Sequence, residues 1–252
     1  METARGTLIL LRHGESTFNA TKTFTGLLDA DLTPAGAAQV GEAARLVAEA
    51  GLTPSILATS PMRRALRTTT LFMDALGLAP ARAAVTWRLS ERDYGCLTGV
   101  PKAEARRRYG EDAFFTWRRT LHGRPPAASE EQRQSWTNPP PVADHGPLTP
   151  GQGESLADVV ERVRPLWEDV LAPQFRVRPA SIAVVAHGNS LRALCAIISG
   201  LSETETEELN IPAGHPLVFD VVDGAVQPRS GVYLDAAIAH AAAAAVAAEG
   251  GT

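Results

Sequence analysis

Two short apolar runs, far apart in the chain, each end in His-Gly, and this pairing limits the fold more than any other feature. The first is Leu8-Ile9-Leu10-Leu11, followed by Arg12-His13-Gly14-Glu15-Ser16. The second is Val184-Val185-Ala186, followed by His187-Gly188-Asn189-Ser190. Such brief apolar runs read as buried strands, and Gly14 permits a sharp exit into a loop. Arg12 and His13 then stand at the carboxyl end of a strand, where open α/β sheets place their ligands. A guanidinium fork grips phosphate oxygens and an imidazole can attack phosphorus, so the pair points to phosphate chemistry. A strand ending in two solvated polar residues would account for either run alone. The recurrence of the pattern favours a site.

Between the two runs the signals alternate. Thr33 can N-cap a helix that starts at Pro34, presents Val40, Ala43, Ala44, Val47 and Ala48, and stops at Gly51. Residues 55–59 predict a second strand, and Ser60-Pro61 repeats the cap-plus-proline signal for a helix through Leu76, closed by Gly77. Residues 85–88 fit a third strand. Residues 89–100 read as an ordered loop, then 103–109 and 112–119 as helices divided by Gly110. Residues 121–153 are rich in Pro, Gly, Ser and Gln without periodicity, which predicts a functional or mobile loop inserted over the site. Ser155 and Asp158 make a capping-box start for a helix to about Val170, despite Pro165. The strand Ser181–Ala186 delivers His187, with a helix over 189–199 behind it and a short acidic helix at Glu203–Glu208. Leu217–Val222 and residues 225–227 form a hairpin turned at Asp223-Gly224. The alanine-rich tail from Ala236 has high helix propensity and little to anchor it. Alternating strands and helices predict one α/β domain over residues 1–252, a mainly parallel sheet flanked by helices on both faces.

Composition narrows the partners. The 252 residues are 44% hydrophobic and 21% charged, enough for a sizeable core, and no apolar run reaches membrane-spanning length. Met1-Glu2-Thr3-Ala4-Arg5 leads directly into the first strand, so no signal peptide is expected. A formal net charge of -4 argues against a nucleic-acid partner. Cys96 and Cys195 make neither metal-ligand spacing nor a disulfide framework, which fits reduced thiols in a cytoplasmic protein.

The string Arg-His-Gly-Glu-Ser after a strand, with the distant His-Gly-Asn-Ser-Leu-Arg, resembles the histidine phosphatase superfamily. Within it the chain is similar to the 2,3-bisphosphoglycerate-dependent phosphoglycerate mutases, from about Leu8 to the alanine-rich tail. The resemblance implies interconversion of 2-phosphoglycerate and 3-phosphoglycerate, the glycolytic and gluconeogenic step. It makes His13 the phosphoryl-accepting nucleophile, with Arg12, Arg64 and His187 completing the phosphate pocket. Glu91, in Leu89-Ser90-Glu91-Arg92-Asp93-Tyr94, takes the acid/base role, since a hydroxyl accepting phosphate must lose its proton. Asn19, Thr25, Gly26, Arg92, Tyr94, Lys102, Arg118, Arg119, Gly188 and Asn189 fall on substrate-contacting positions. A solvated helix face explains Arg106-Arg107-Arg108, whereas Arg118-Arg119 follow Trp117 as in the family. The implied cofactor is 2,3-bisphosphoglycerate, as primer and intermediate, with no metal. The implied partners are small phosphoglycerates and a second copy of the chain, as a homodimer or higher homo-oligomer, without nucleic acid or membrane. The segment from Glu208 to Gly214 matches the family too and is expected to serve packing, and the tail resembles one that closes over the active site. Leu27, Thr23 and Asp93 depart from the family pattern, as do residues 129–153, and the tail lacks the basic residues that commonly finish it. Two rival readings share the same residues: a phosphatase of the superfamily, with water as acceptor, and a catalytically inactive binding module.

Overall fold

The computed structural model describes residues 5–78, 83–141, 146–177 and 180–248. Its strands are β1 (Arg5–Arg12), β2 (Ile56–Thr59), β3 (Ala83–Val85), β4 (Ser181–Ala186), β5 (Leu217–Val222), β6 (Ala225–Val226) and β7 (Val232–Tyr233). Among the described residues they form one sheet in the order β3-β2-β4-β1-β5-β6, with β7 also paired to β5. The first four positions run parallel, and β5 lies antiparallel to β1. The helices are α1 (Thr17–Ala20), α2 (Pro34–Glu49), α3 (Arg63–Ala75), α4 (Lys102–Tyr109), α5 (Glu111–Arg119), α6 (Glu130–Gln134), α7 (Leu156–Pro165), α8 (Ala172–Val177), α9 (Gly188–Ser199), α10 (Glu203–Glu208) and α11 (Ala236–Ala248).

Side chains alternate across a strand, so β1 feeds two cores at once. Leu8 and Leu10 pack with α7 and α9, through Val159, Val163, Leu191 and Leu194. Ile9 and Leu11 pack with α2 and α3, through Val40, Val47 and Phe72. All four β1 side chains are fully buried, each stabilising the fold by about 1.5–3 kcal/mol relative to exposure. Because β1 pairs in parallel register with β4, Arg12 lies beside Ala186, and the His13 amide donates to the Ala186 carbonyl at 3.0 Å. His13 and His187 therefore leave the sheet side by side. The β1 exit also runs hard against the first turn of α2: a Cβ at Gly14 would lie 2.2 Å from the Gly36 carbonyl oxygen.

Several local expectations hold for the reasons given, among them the Thr33 cap and the Ser155–Asp158 capping box. Others need correction. The helix expected from Ser60-Pro61 starts only at Arg63, without a side-chain cap; the Ser60 hydroxyl meets His187 Nε2 at 2.6 Å and accepts the Met62 amide at 3.4 Å. The third strand is Ala83–Val85, and Trp87–Leu89 is a 3₁₀ turn capped by Thr86. Pro165, which has no N–H to donate, is followed by a π-helical turn over Leu166–Leu171, and the helix resumes as α8. Residues 225–227 give only the two-residue β6, and β7 was not foreseen. The described part of residues 121–153 contains α6 and packs on the Asp93–Gly99 stretch, through Cys96 N to Pro126 O and Gln132 Nε2 to Cys96 O, both 2.8 Å. It buttresses that stretch and contributes no wall to the cleft described next; residues 142–145 lie outside the described residues.

Candidate active site

A cleft of about 380 Å³ opens at the carboxyl ends of β1 and β2 and is roofed on one side by α11. Its floor is built from groups fixed by backbone atoms. The Nδ1–H of His13 donates to the Gly14 carbonyl at 2.7 Å, which leaves the lone pair on Nε2, and Arg64 Nε approaches that nitrogen at 3.3 Å. Arg64 is held in turn by Leu28 O at 2.7 Å and Gly26 O at 2.9 Å. Arg12 donates from Nη1 to Ile211 O at 2.8 Å. His187 is fully buried, its ring 5.0 Å from that of His13, and its Nε2 meets Ser60 Oγ at 2.6 Å. Two buried polar atoms here, Arg12 Nε and His187 Nδ1, have no hydrogen-bond partner among the described residues. Burying a donor such as Arg12 Nε is costly unless something pairs with it, and an anion held against His13 would do so.

The electrostatics follow from this crowding. Burial, and next the Arg64 guanidinium, holds both imidazoles well below the ordinary histidine value, so both are neutral. Burial also lowers Arg64, to about 10, and Arg12, against the opposing pull of Glu91. Arg64 thus keeps its charge at neutral pH, beside a nitrogen that keeps its lone pair.

Glu91 lines the cleft from the loop after the 3₁₀ turn. Its Oε1 accepts from Arg92 N at 2.7 Å, Asn189 Nδ2 at 3.0 Å and Asn189 N at 3.3 Å. Asn189 Nδ2 also donates to the Tyr94 hydroxyl at 2.9 Å, and Arg192 fixes Asn189 through Oδ1 at 3.1 Å. The opposite wall carries Asn19, Thr25, Gly26, Lys102 and Arg118. Asn19 is oriented by the capping box of α1, and Arg118 stacks over Phe24 and Phe114.

Four expected substrate contacts do not line the cleft. Asn189 holds Glu91 and Tyr94 from behind, and Gly188 opens α9 beneath them. Arg92 is fully buried, lies over the Tyr94 ring and bonds the Trp117 carbonyl. Arg119 turns away to Asn210 Oδ1 at 3.1 Å and the Glu207 carbonyl. Neighbours on a helix diverge by about 100°, so Arg118 and Arg119 could not both face one cleft squarely. His187 reaches the site only through the His13 ring.

The cleft also includes residues that the sequence did not single out as contacts: Glu15, Thr23, Gln39, Pro212, Ala213, His215, and Ala242, Ala245 and Val246 of α11. Pro212 and Ala213 thus do more than pack. His215 Nδ1 lies 2.5 Å from Asp235 Oδ2, which ties the root of α11 to the cleft and anchors the tail. Glu15 stands inside the first motif and was legible there, whereas nothing local marks Gln39 or His215. Among the described residues no three His, Cys, Asp or Glu side chains converge on a common point, and no helix is long and apolar enough to cross a membrane.

Comparison with known proteins agrees with this geometry. The family model of the histidine phosphatase superfamily (branch 1) matches residues 8–138 and 120–228. A protein of Corynebacterium jeikeium named 2,3-bisphosphoglycerate-dependent phosphoglycerate mutase is 42% identical, over 98% of this chain and 96% of its own. The Mycobacterium tuberculosis protein of the same name is 45% identical, over 97% of this chain and 98% of its own. A solved mycobacterial glucosyl-3-phosphoglycerate phosphatase shares the fold, with TM-score 0.64 and 24% identity over 86% of this chain and 90% of that one. The chain belongs to the histidine phosphatase superfamily and, within it, to the family of 2,3-bisphosphoglycerate-dependent phosphoglycerate mutases.

Proposed function

We propose that the chain interconverts 3-phosphoglycerate and 2-phosphoglycerate through a phosphohistidine at His13. The observation that carries this is the His13 ring itself, whose Nε2 lone pair faces Arg64 while Nδ1 is tied to the Gly14 carbonyl. When bound, 2,3-bisphosphoglycerate supplies the phosphoryl group that loads His13. The fit is good: Arg12 Nε is a buried donor without a partner among the described residues, and Arg64 Nε already approaches His13 Nε2. His13 Nε2 forms the bond to phosphorus, and the Arg12 and Arg64 charges gather the equatorial oxygens, on which phosphoryl transfer chiefly relies. The departing oxygen takes a proton from the Glu91 carboxyl group. In the return step the Glu91 carboxylate removes the proton of the attacking hydroxyl. Asn189 keeps Glu91 in place throughout. Lys102 and Arg118, on the far wall, suit the carboxylate and second phosphate of a sugar acid, each contact worth about 1.5–3 kcal/mol.

A coupled assay with 3-phosphoglycerate and trace 2,3-bisphosphoglycerate tests the reading by following 2-phosphoglycerate and free phosphate together. The mutase reading expects 2-phosphoglycerate to accumulate with little free phosphate, insensitive to chelator. Free phosphate released in step with substrate loss would favour the phosphatase instead.

A further inference from the structure

Glu91 lies on an irregular, buried strip between two 3₁₀ turns, Trp87–Leu89 and Gly95–Leu97, with no ladder of its own to fix its backbone. Buried carbonyls on such a strip need partners from elsewhere. One side chain supplies those around Glu91 itself. Arg162, on α7, donates from Nη1 to Arg88 O at 2.6 Å and from Nη2 to Ser90 O at 3.0 Å and Glu91 O at 3.1 Å. Its Nε donates to Glu154 Oε1 at 2.8 Å, and Nη2 shares its hydrogens with Glu154 Oε2 at 3.2 Å. Glu154 extends the same clamp, because its Oε2 accepts the Asp93 amide at 2.9 Å and its own amide donates to Asp93 O at 2.8 Å. Both charged side chains are about nine-tenths buried, at 6% and 10% exposure.

A buried ion pair is a poor way to gain stability, since apolar residues of similar volume usually serve as well or better. A pair that spends its hydrogen bonds on both sides of one residue's backbone is suited to holding that residue still. We infer that the Arg162–Glu154 pair is a positioning device for Glu91, fixing the carboxyl group relative to the phosphoryl group on His13. Neither residue touches the cleft; their effect passes through the backbone at residues 88, 90, 91 and 93. A displacement of about 1 Å at a catalytic group can cost on the order of 10²-fold in rate.

This inference rests on Glu91 being the acid/base, and the test separates the two. The rate of His13 phosphorylation is followed by rapid mixing and alkaline quench with two donors, 2,3-bisphosphoglycerate and p-nitrophenyl phosphate. The first leaves as an alkoxide and needs a proton; nitrophenolate leaves without one. Glu91→Gln, Arg162→Met, Arg162→Lys and Glu154→Gln are compared with the unaltered protein, the last two standing in should Arg162→Met fail to fold. The positioning role predicts that Arg162→Met slows loading from 2,3-bisphosphoglycerate by on the order of 10²-fold with a far smaller effect on loading from the aryl ester, the same selectivity expected of Glu91→Gln. Arg162→Lys and Glu154→Gln should show the same selectivity with smaller losses. If Glu91→Gln is selective but the other variants slow both donors alike, the pair is merely structural and the inference fails. If Glu91→Gln itself slows both alike, the acid/base reading fails first.

Discussion

The floor of the cleft and its far wall are built in different ways. On the floor, Arg12, His13 and His187 hang from the ends of adjacent parallel strands, and Arg64 from the first turn of α3, all nine-tenths buried or more. Most of their hydrogen bonds go to backbone carbonyls. On the wall, Lys102 and Arg118 come from short helices packed on the small core of Phe24, Tyr94 and Phe114. On the proposed reading, the groups that gather the phosphoryl group hang from the sheet and α3, and those suited to the rest of the ligand come from peripheral helices. That division fits a fold that this mutase family shares with a solved phosphatase.

The largest test of this contrast is Glu91→Gln, which keeps shape and removes the proton carrier. Mutase kcat should fall by roughly 10²–10⁴ with KM for 3-phosphoglycerate nearly unchanged. A rise in KM of the same size would place Glu91 in binding instead.

The next sharpens the wall. Arg118→Ala should cost roughly ten- to a hundredfold, much of it in KM for phosphoglycerate, while activity on a simple aryl phosphate changes little. Arg119→Ala should leave KM close to normal and act mainly on stability, because its guanidinium braces Asn210 and the Glu207 carbonyl. Equal KM effects from the two would contradict the orientation described.

The smallest concerns the floor's electrostatics. Unfolded imidazoles bind a proton near pH 6.5, whereas His13 and His187 resist it until well below. Between those values the unfolded chain binds more protons, so stability falls as pH drops below about 6.5, by up to about 1.4 kcal/mol per pH unit for each histidine. Urea unfolding at about pH 7.5 and about pH 5.5 should therefore show a smaller acid loss in His187→Asn than in the unaltered protein. An identical loss would mean that other groups carry the acid sensitivity.

The same division explains what could be read from the sequence. The floor was legible because strand ends and His-Gly exits are local signals, and the buried hydrophobic runs around them leave little choice of register. Ser60-Pro61 misplaced the start of α3, and the contact of the Ser60 hydroxyl with a residue 127 positions away had no local signal. Arg92 and Asn189 carry family motifs, but motif position cannot say whether a side chain touches ligand or holds the residue that does. His215 and Gln39 reach the cleft only through tertiary packing, by way of Asp235 and the Glu15 amide. Strand order, and the antiparallel edge of β5 and β7 in particular, also lay beyond any local pattern.

The central claim is that His13 Nε2 carries the phosphoryl group, and chemical trapping addresses it most directly. Brief exposure to 2,3-bisphosphoglycerate followed by alkaline quench and peptide mapping should place an acid-labile, base-stable phosphate on His13, and none in His13→Asn. Phosphate on another residue, or turnover of 3-phosphoglycerate without any labelling of His13, would contradict the account.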